Sequence, residues 1–264
     1  MKNIVIFADY GLDDAAATVS IFNNSNKFET ITIVPIGGNV PAEISYRNCY
    51  TLLSYYPQLW HKIKVVDTCH IKQPNEYLVD IHGRDGMGDL LVHTDKKADV
   101  QEQIFEEWIK EFNGNEIVLS LGPMTLVRTL LENHSPRLLV LMGGLINTQP
   151  NFNGYEFNQG LDVNAFNFCV KYPHVAITLD TCRIEKLDMQ KAIIKGDDLH
   201  SRIIRAYREL VISRGEDGCR VWDDVAACYI LYPERYEVKQ VKDPYGNTIS
   251  NANYVSDKLY FEKD

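Results

Sequence analysis

Between Ile4 and Ala17 the chain passes from an apolar stretch, Ile4-Val5-Ile6-Phe7, through Asp9, Gly11, Asp13 and Asp14 into three alanines, and this corner constrains the fold most. A partly β-branched apolar run suits a strand buried in a parallel sheet, while Asp14-Ala-Ala-Ala-Thr-Val-Ser-Ile-Phe has the composition and apolar spacing of a helix. Gly11 supplies the turn between them. Open α/β sheets bind ligands where such corners gather at the carboxyl ends of the strands, so Asp9, Asp13 and Asp14 are expected to face a crevice. A helix N-terminus eases each exposed charge by only about 0.3–1 kcal/mol, and no Lys or Arg lies between Lys2 and Lys27. Carboxylates this crowded raise one another's pKa unless a cation sits among them. An oxygen-liganded divalent ion is the simplest remedy, and Ca²⁺ tolerates an irregular carboxylate shell better than Mg²⁺. For Asp13 and Asp14 the competing reading is a helix cap and a first-turn charge, which leaves Asp9, before the turn, unexplained.

The rest of the chain repeats the rhythm of strand, glycine turn and helix that marks a mostly parallel sheet. Phe28–Ile36 reads as a strand ending in Gly37-Gly38-Asn39, followed by an amphipathic stretch from Ala42 to Tyr56; Asn39 is either a turn residue or a ligand contact. Lys62–Val66 reads as a short strand. The long polar segment from Asp67 to Asp89 carries His82 among three closely spaced glycines, as functional loops do. Val100–Phe112 has helical spacing, Glu116–Leu121 is a strand meeting a helix at Gly122-Pro123, and Arg137–Met142 repeats that pattern. The loop from Leu145 to Gly160 is rich in asparagine and holds Glu156 and Asn158. Amides both donate and accept, so this loop suits hydroxyl groups as well as solvent. Asp162 opens a helix, His174–Asp180 is a strand, and Asp197–Ser213 and Val221–Pro233 are helices. The tail from Tyr236 to Glu262 looks like a β-ribbon capping the sheet. The expected fold is therefore α/β, one domain over residues 1–264 with an open, mostly parallel sheet flanked by helices and a C-terminal β-ribbon.

A formal charge of −9 over 264 residues, with no basic patch, argues against nucleic acid as a partner. A small neutral or cationic ligand is easier to accommodate. Six scattered cysteines without a CxxC pair read as buried thiols of a reducing compartment. No apolar run reaches the length of a membrane span and the amino terminus enters a strand directly, so a cytoplasmic location is expected. His61, His70, His93, His134, His174 and His200 read as surface or cap residues; only His82 has a site-like setting.

In order and spacing these segments resemble the inosine-uridine-preferring nucleoside hydrolase family. Phe7-Ala8-Asp9-Tyr10-Gly11-Leu12-Asp13-Asp14 is similar to the family pattern Asp-x-Asp-Pro-Gly-x-Asp-Asp, and Gly38-Asn39 to the Gly-Asn after its second strand. His82-Gly83 with Gly86-Met87-Gly88, Gly122-Pro123-Met124-Thr125, Met142-Gly143-Gly144, Glu156-Phe157-Asn158 with Asp162, and Trp222-Asp223 with Ala226 and Pro233 resemble the later landmarks. The resemblance implies a Ca²⁺-dependent enzyme that cleaves the N-glycosidic bond of ribonucleosides to ribose and free base. It places Asp9, Asp14, Asp223 and the main-chain oxygen of Leu121 on the ion, with Asp9 taking the proton of the attacking water. Asp13, Asn39, Glu156 and Asn158 would hold the sugar, in a role within nucleoside salvage and a homodimer or homotetramer.

Two positions depart from the pattern. Phe7 stands where the motif has its first aspartate, and Trp222 where many members have a histidine that protonates the departing base. An indole N–H is no acid near neutral pH. Trp222 therefore stacks on the base, belongs to the core, or marks a relative that binds ribosides without cleaving them, and His82 is either the surviving acid or a wall of the base pocket. A haloacid-dehalogenase-type phosphatase also has an acidic strand end, but Phe7 and Ala8 leave the first position of its nucleophile motif without a carboxylate.

Overall fold

A computed structural model describes residues 2–88, 90–91, 98–190, 192–216 and 218–258; Asp89, His93 and the end of the tail lie outside the described residues. β1 (Lys2–Ala8) reads as an unbroken apolar run because both its faces are covered: Ile4, Ile6 and Ala8 enter one apolar cluster, Val5 and Phe7 another. After α1 (Leu12–Asn23) come β2 (Phe28–Pro35), α2 (Ala42–Ser54), β3 (Ile63–Asp67), α3 (Val79–His82), β4 (Gln101–Ile104), α4 (Phe105–Glu111) and β5 (Glu116–Ser120). The second half adds α5 (Thr125–Leu131), β6 (Leu138–Met142), α6 (Phe157–Leu161), α7 (Val163–Cys169), β7 (Val175–Ile177) and α8 (Leu179–Cys182). It ends with α9 (Leu199–Ser213), α10 (Trp222–Leu231), β8 (Tyr236–Lys242) and β9 (Thr248–Tyr254).

These strands form one nine-stranded sheet in the order β4-β3-β2-β1-β5-β6-β7-β9-β8, parallel except for the β8–β9 pair. Helices cover both faces. α1, α2, α9 and α10 bury their apolar sides with Ile4, Ile6 and Ile33, and α4, α5 and α7 cover Val5, Phe7 and Val118 on the other side. From β1 the chain steps outward through β2 to β4, then returns to place β5 on the opposite side of β1 and steps outward again. Strand order thus reverses between β1 and β5, and a crevice opens at the carboxyl ends of strands at such a switch point. Asp9 follows β1 and Leu121 follows β5 at this opening.

Phe7 is fully buried, with its ring edge-on to Trp108 at 6.2 Å between centroids, so the place of the motif's first carboxylate is apolar here. Three expectations need correction. The helix foreseen from Val100 starts only at Phe105, because Gln101–Ile104 pairs in parallel with β3 as an edge strand; its polar residues match its exposure. The C-terminal ribbon extends the sheet instead of capping it, with β9 joined to β7. His174 is buried rather than on the surface: Ser250 N–H donates to its Nε2 at 3.2 Å and its Nδ1 lies 2.8 Å from the Tyr172 carbonyl. Five of the six cysteines are buried. Among the described residues no helix is long and apolar enough to cross a membrane.

Candidate active site

Asp14 shapes the first corner. From the third position of α1 its carboxylate reaches back, accepting the Asp9 N–H at Oδ1 (3.0 Å) and the Gly11 N–H at Oδ2 (2.9 Å). Donors that a helix start leaves unpaired are thereby satisfied. Tyr10, between them, has φ of +30°, a left-handed conformation closed to the proline of the family pattern. Strain of this kind is held in place by surrounding structure; here the Tyr10 ring is fully buried and its hydroxyl lies 3.3 Å from Thr18 Oγ1.

Asp9 is seated by the next corner. Asn39 N–H donates to Asp9 Oδ2 (2.7 Å), and Asn39 Nδ2 donates to Asp9 Oδ1 (3.1 Å) and Asp14 Oδ2 (3.2 Å). Glycine is required on both sides of this carboxylate. A Cβ at Gly38 would overlap Asp9 Oδ2, and one at Gly122 would come within 2.8 Å of Asp9 Cγ. Gly38→Ala is therefore expected to lower stability by about 1–3 kcal/mol, the usual cost of overpacking. Thermal unfolding checks this, and an unchanged midpoint would mean that Asp9 is not seated there.

Asp223, at the start of α10, meets these acids from the far end of the chain. One carboxylate oxygen each from Asp13, Asp14 and Asp223 lies within 4.8 Å of the others, and all three residues are buried. Asp9 adjoins this trio through Asn39 and Asp14. Burial, reinforced by neighbouring charges, raises the pKa of Asp14 and Asp223 well above the ordinary carboxylate value. Burial and the Asp9 charge push Asp13 up to about 7, and burial pushes Asp9 up to about 6 against the hydrogen bond from Asn39 N–H.

Among the described residues no Lys or Arg pairs with these four acids, and Asp13 Oδ1 is buried without a hydrogen-bond partner. His82 Nδ1, 4.0 Å from Asp13 Oδ1, does not neutralise it. That nitrogen accepts the Leu12 N–H at 3.2 Å, and burial, then the Arg214 charge, holds the imidazole pKa down at about 3. An orphaned carboxylate oxygen in an all-oxygen cluster without a counter-charge fits a hard divalent cation.

The acids form the floor of a cavity of about 350 Å³, within the range of small-ligand sites. Nine of the ten foreseen site residues touch or adjoin it: Asp13, Asn39, His82, Leu121, Glu156, Asn158, Trp222 and Asp223 line it, and Asp14 lies in the trio beneath. Asp9, the tenth, sits behind Asn39. Glu156 Oε1 accepts the Asn158 N–H at 3.0 Å, and Oε2 accepts the N–H groups of Gln159 (2.9 Å) and Gly144 (3.0 Å), capping α6. Its burial raises the carboxyl pKa to about 7 despite those bonds. Asn158 Nδ2 donates to the Leu121 carbonyl at 2.7 Å and to that of Met142 at 3.2 Å, joining the ends of β5 and β6.

The opposite wall went unforeseen. Tyr207 of α9 stacks on His82 with centroids 6.1 Å apart, and Arg183 and Arg214 also line the cavity. Both arginines come from outside the asparagine-rich loop, which itself carries no Lys or Arg. Arg214 is paired with Glu216 and donates toward the carbonyls of Asp80 and Ile81. Arg183 lies 6.0 Å from the Trp222 ring centroid and donates to the Gln149 carbonyl at 2.8 Å. The available signal was its place after the corner of β7, another strand end facing the crevice. Asp180 at that corner accepts from Ile146 N–H, Asn147 N–H and Thr148 Oγ1, which ties the asparagine-rich loop to the rim.

Residues 4–257 match the family model described as inosine-uridine preferring nucleoside hydrolase. Uridine nucleosidase 1 of Arabidopsis thaliana is 21% identical over 260 residues, covering 90% of this chain and 76% of the relative. The purine-preferring ribonucleoside hydrolase from Gardnerella vaginalis superposes with a TM-score of 0.70 at 19% identity, over 98% of this chain and 94% of that one. An inosine-guanosine nucleoside hydrolase gives 0.71 at 18% identity, over 98% and 89% of the two chains.

Proposed function

Since the chain belongs to the inosine-uridine preferring nucleoside hydrolase family, and so is a glycosyl hydrolase, we propose that it cleaves ribonucleosides to ribose and free base at this cavity with Ca²⁺ as its ion. The observation that carries the reading is the convergence of Asp13, Asp14 and Asp223, from chain segments some two hundred residues apart, on the floor of a nucleoside-sized cavity. Asp14, Asp223, Asp9 and the Leu121 carbonyl would hold the ion, with Asp13 at its rim. Such an ion, when bound, supplies Lewis acidity that lowers the pKa of water and orients sugar oxygens.

The protein's own groups do the rest. Asp9, an acceptor already oriented by Asn39, takes the proton of the water that attacks C1′. Asp13, Asn39, Glu156 and Asn158 bind ribose hydroxyls. As the bond to the base stretches, positive charge develops on the sugar, and fixed carboxylates beneath it favour that transition state. His82, neutral and stacked on Tyr207, serves as pocket wall rather than acid. Trp222 offers an indole face to the base beside Asp223.

Incubating the purified protein with inosine, guanosine, adenosine, uridine and cytidine tests the reading. Ribose release from at least one is expected; ribose binding without release from any would select a non-catalytic binding relative. Trp222→Ala is expected to raise KM for the preferred nucleoside roughly 5- to 100-fold, the loss of one stacked base. An unchanged KM would assign Trp222 to packing alone. The same reading includes one folding unit over residues 1–264 and assembly as a homodimer or homotetramer, which light scattering measures directly.

A further inference from the structure

We propose that Arg183 stabilises the departing base as an anion, supplying the leaving-group assistance that Trp222 cannot. The proposal rests on the hydrolase reading above. Arg183 is half-buried in the cavity wall, and among the described residues no carboxylate pairs with it; one N–H goes to the Gln149 carbonyl. Arg214, the other cation of the lining, is neutralised by Glu216 and engaged with two carbonyls. Among the described residues of the lining, Arg183 is therefore the cation without an ion-pair partner, the Asp180 carboxylate acting on it from beyond ion-pair distance.

Its position gives that charge a direction. The guanidinium lies 6.0 Å from the Trp222 ring centroid, the outer limit of a cation–π contact, and Trp222 immediately precedes Asp223 of the acidic floor. A base lying along the indole, attached to a ribose over Asp223, has carboxylates under the sugar and a guanidinium beside the base. Cleavage separates charge in the same sense. The C1′–N bond breaks with both electrons leaving on the base, the water oxygen bonds to C1′, and the water proton goes to Asp9. The base departs as an anion beside Arg183 and takes its proton from solvent. A guanidinium keeps its charge at neutral pH and presents several donors to ring nitrogens and exocyclic oxygens. Bases with acidic N–H groups and keto oxygens are thereby favoured over amino-substituted ones.

Comparing the wild type with Arg183→Met and Arg183→Lys on the preferred nucleoside and on 4-nitrophenyl riboside, whose nitrophenolate departs unaided, tests this. Arg183→Met is expected to lower kcat/KM for the nucleoside on the order of 10²-fold, as removal of one preorganised donor does, with a far smaller fall for the nitrophenyl riboside. Arg183→Lys should recover part of the nucleoside rate. Equal falls on both substrates would show that Arg183 only braces the loop at Gln149 and would overturn the assignment, as would no fall on either. Unfolding curves of both variants establish that they are folded. A wild type inactive on both substrates would instead refute the hydrolase reading on which the proposal stands.

Discussion

Asp9→Ala is expected to reduce ribose release by about 10²–10⁴-fold, the range for loss of a positioned general base, while the protein stays folded. Asp9 is fully buried, and both its oxygens are aimed by Asn39, one through the main-chain N–H and one through the side-chain amide. Its removal leaves the Asn39 N–H without its acceptor, which costs roughly 1–3 kcal/mol for a buried donor. Against that cost, one of four mutually repelling carboxylates disappears, and its charge helps to raise the pKa of Asp13, Asp14 and Asp223. The two effects oppose each other, so the unfolding midpoint should shift far less than the rate. Ribose assays and circular dichroism on the same preparation separate them. Undiminished ribose release would remove Asp9 from the mechanism.

How much of this was legible in the sequence follows from the range over which each signal acts. The first corner was readable because strand, turn and helix are local, and Asp9, Gly11 and Asp14 lie within one hydrogen-bonded turn. Asp223 had no local signal beyond a helix start; its meeting with Asp14 depends on α10 packing against α1 and came from the resemblance of the whole chain. Gln101–Ile104 misled because an edge strand exposed to solvent has lost the apolar alternation that marks a strand, while the helical spacing of Phe105, Trp108 and Phe112 dominates the window. Arg183 and Tyr207 were missed for a different reason. An arginine just past a strand and a tyrosine on an amphipathic helix look like surface and core, and only the fold turns them toward the same cavity.

The second large effect concerns the ion. In protein stripped by a chelator, Asp9 and Asp13 keep their protons up to about pH 6 and pH 7, whereas the unfolded chain releases them near the ordinary value of 3.8. A carboxyl whose pKa is raised by folding gives stability that is complete below the unfolded value and is lost as pH rises through the folded one. The stripped protein should therefore lose stability between about pH 4 and pH 7, in the direction opposite to that of a protein held by carboxylate ion pairs. Ca²⁺ bound as proposed should reverse this, because it would bind the ionised acids of the folded state only. At a concentration 1,000 times its dissociation constant it adds about 4 kcal/mol, which at roughly 2–4 °C per kcal/mol for a chain of this size raises the midpoint by about 8–16 °C at pH 7.5. Asp223→Asn removes a carboxylate contributed from α10 and should abolish most of that shift, whereas a substitution remote from the site should preserve it. A midpoint insensitive to any divalent cation would mean that the acids are satisfied by protons alone, and a larger response to Mg²⁺ than to Ca²⁺ would change the identity of the ion without changing its site.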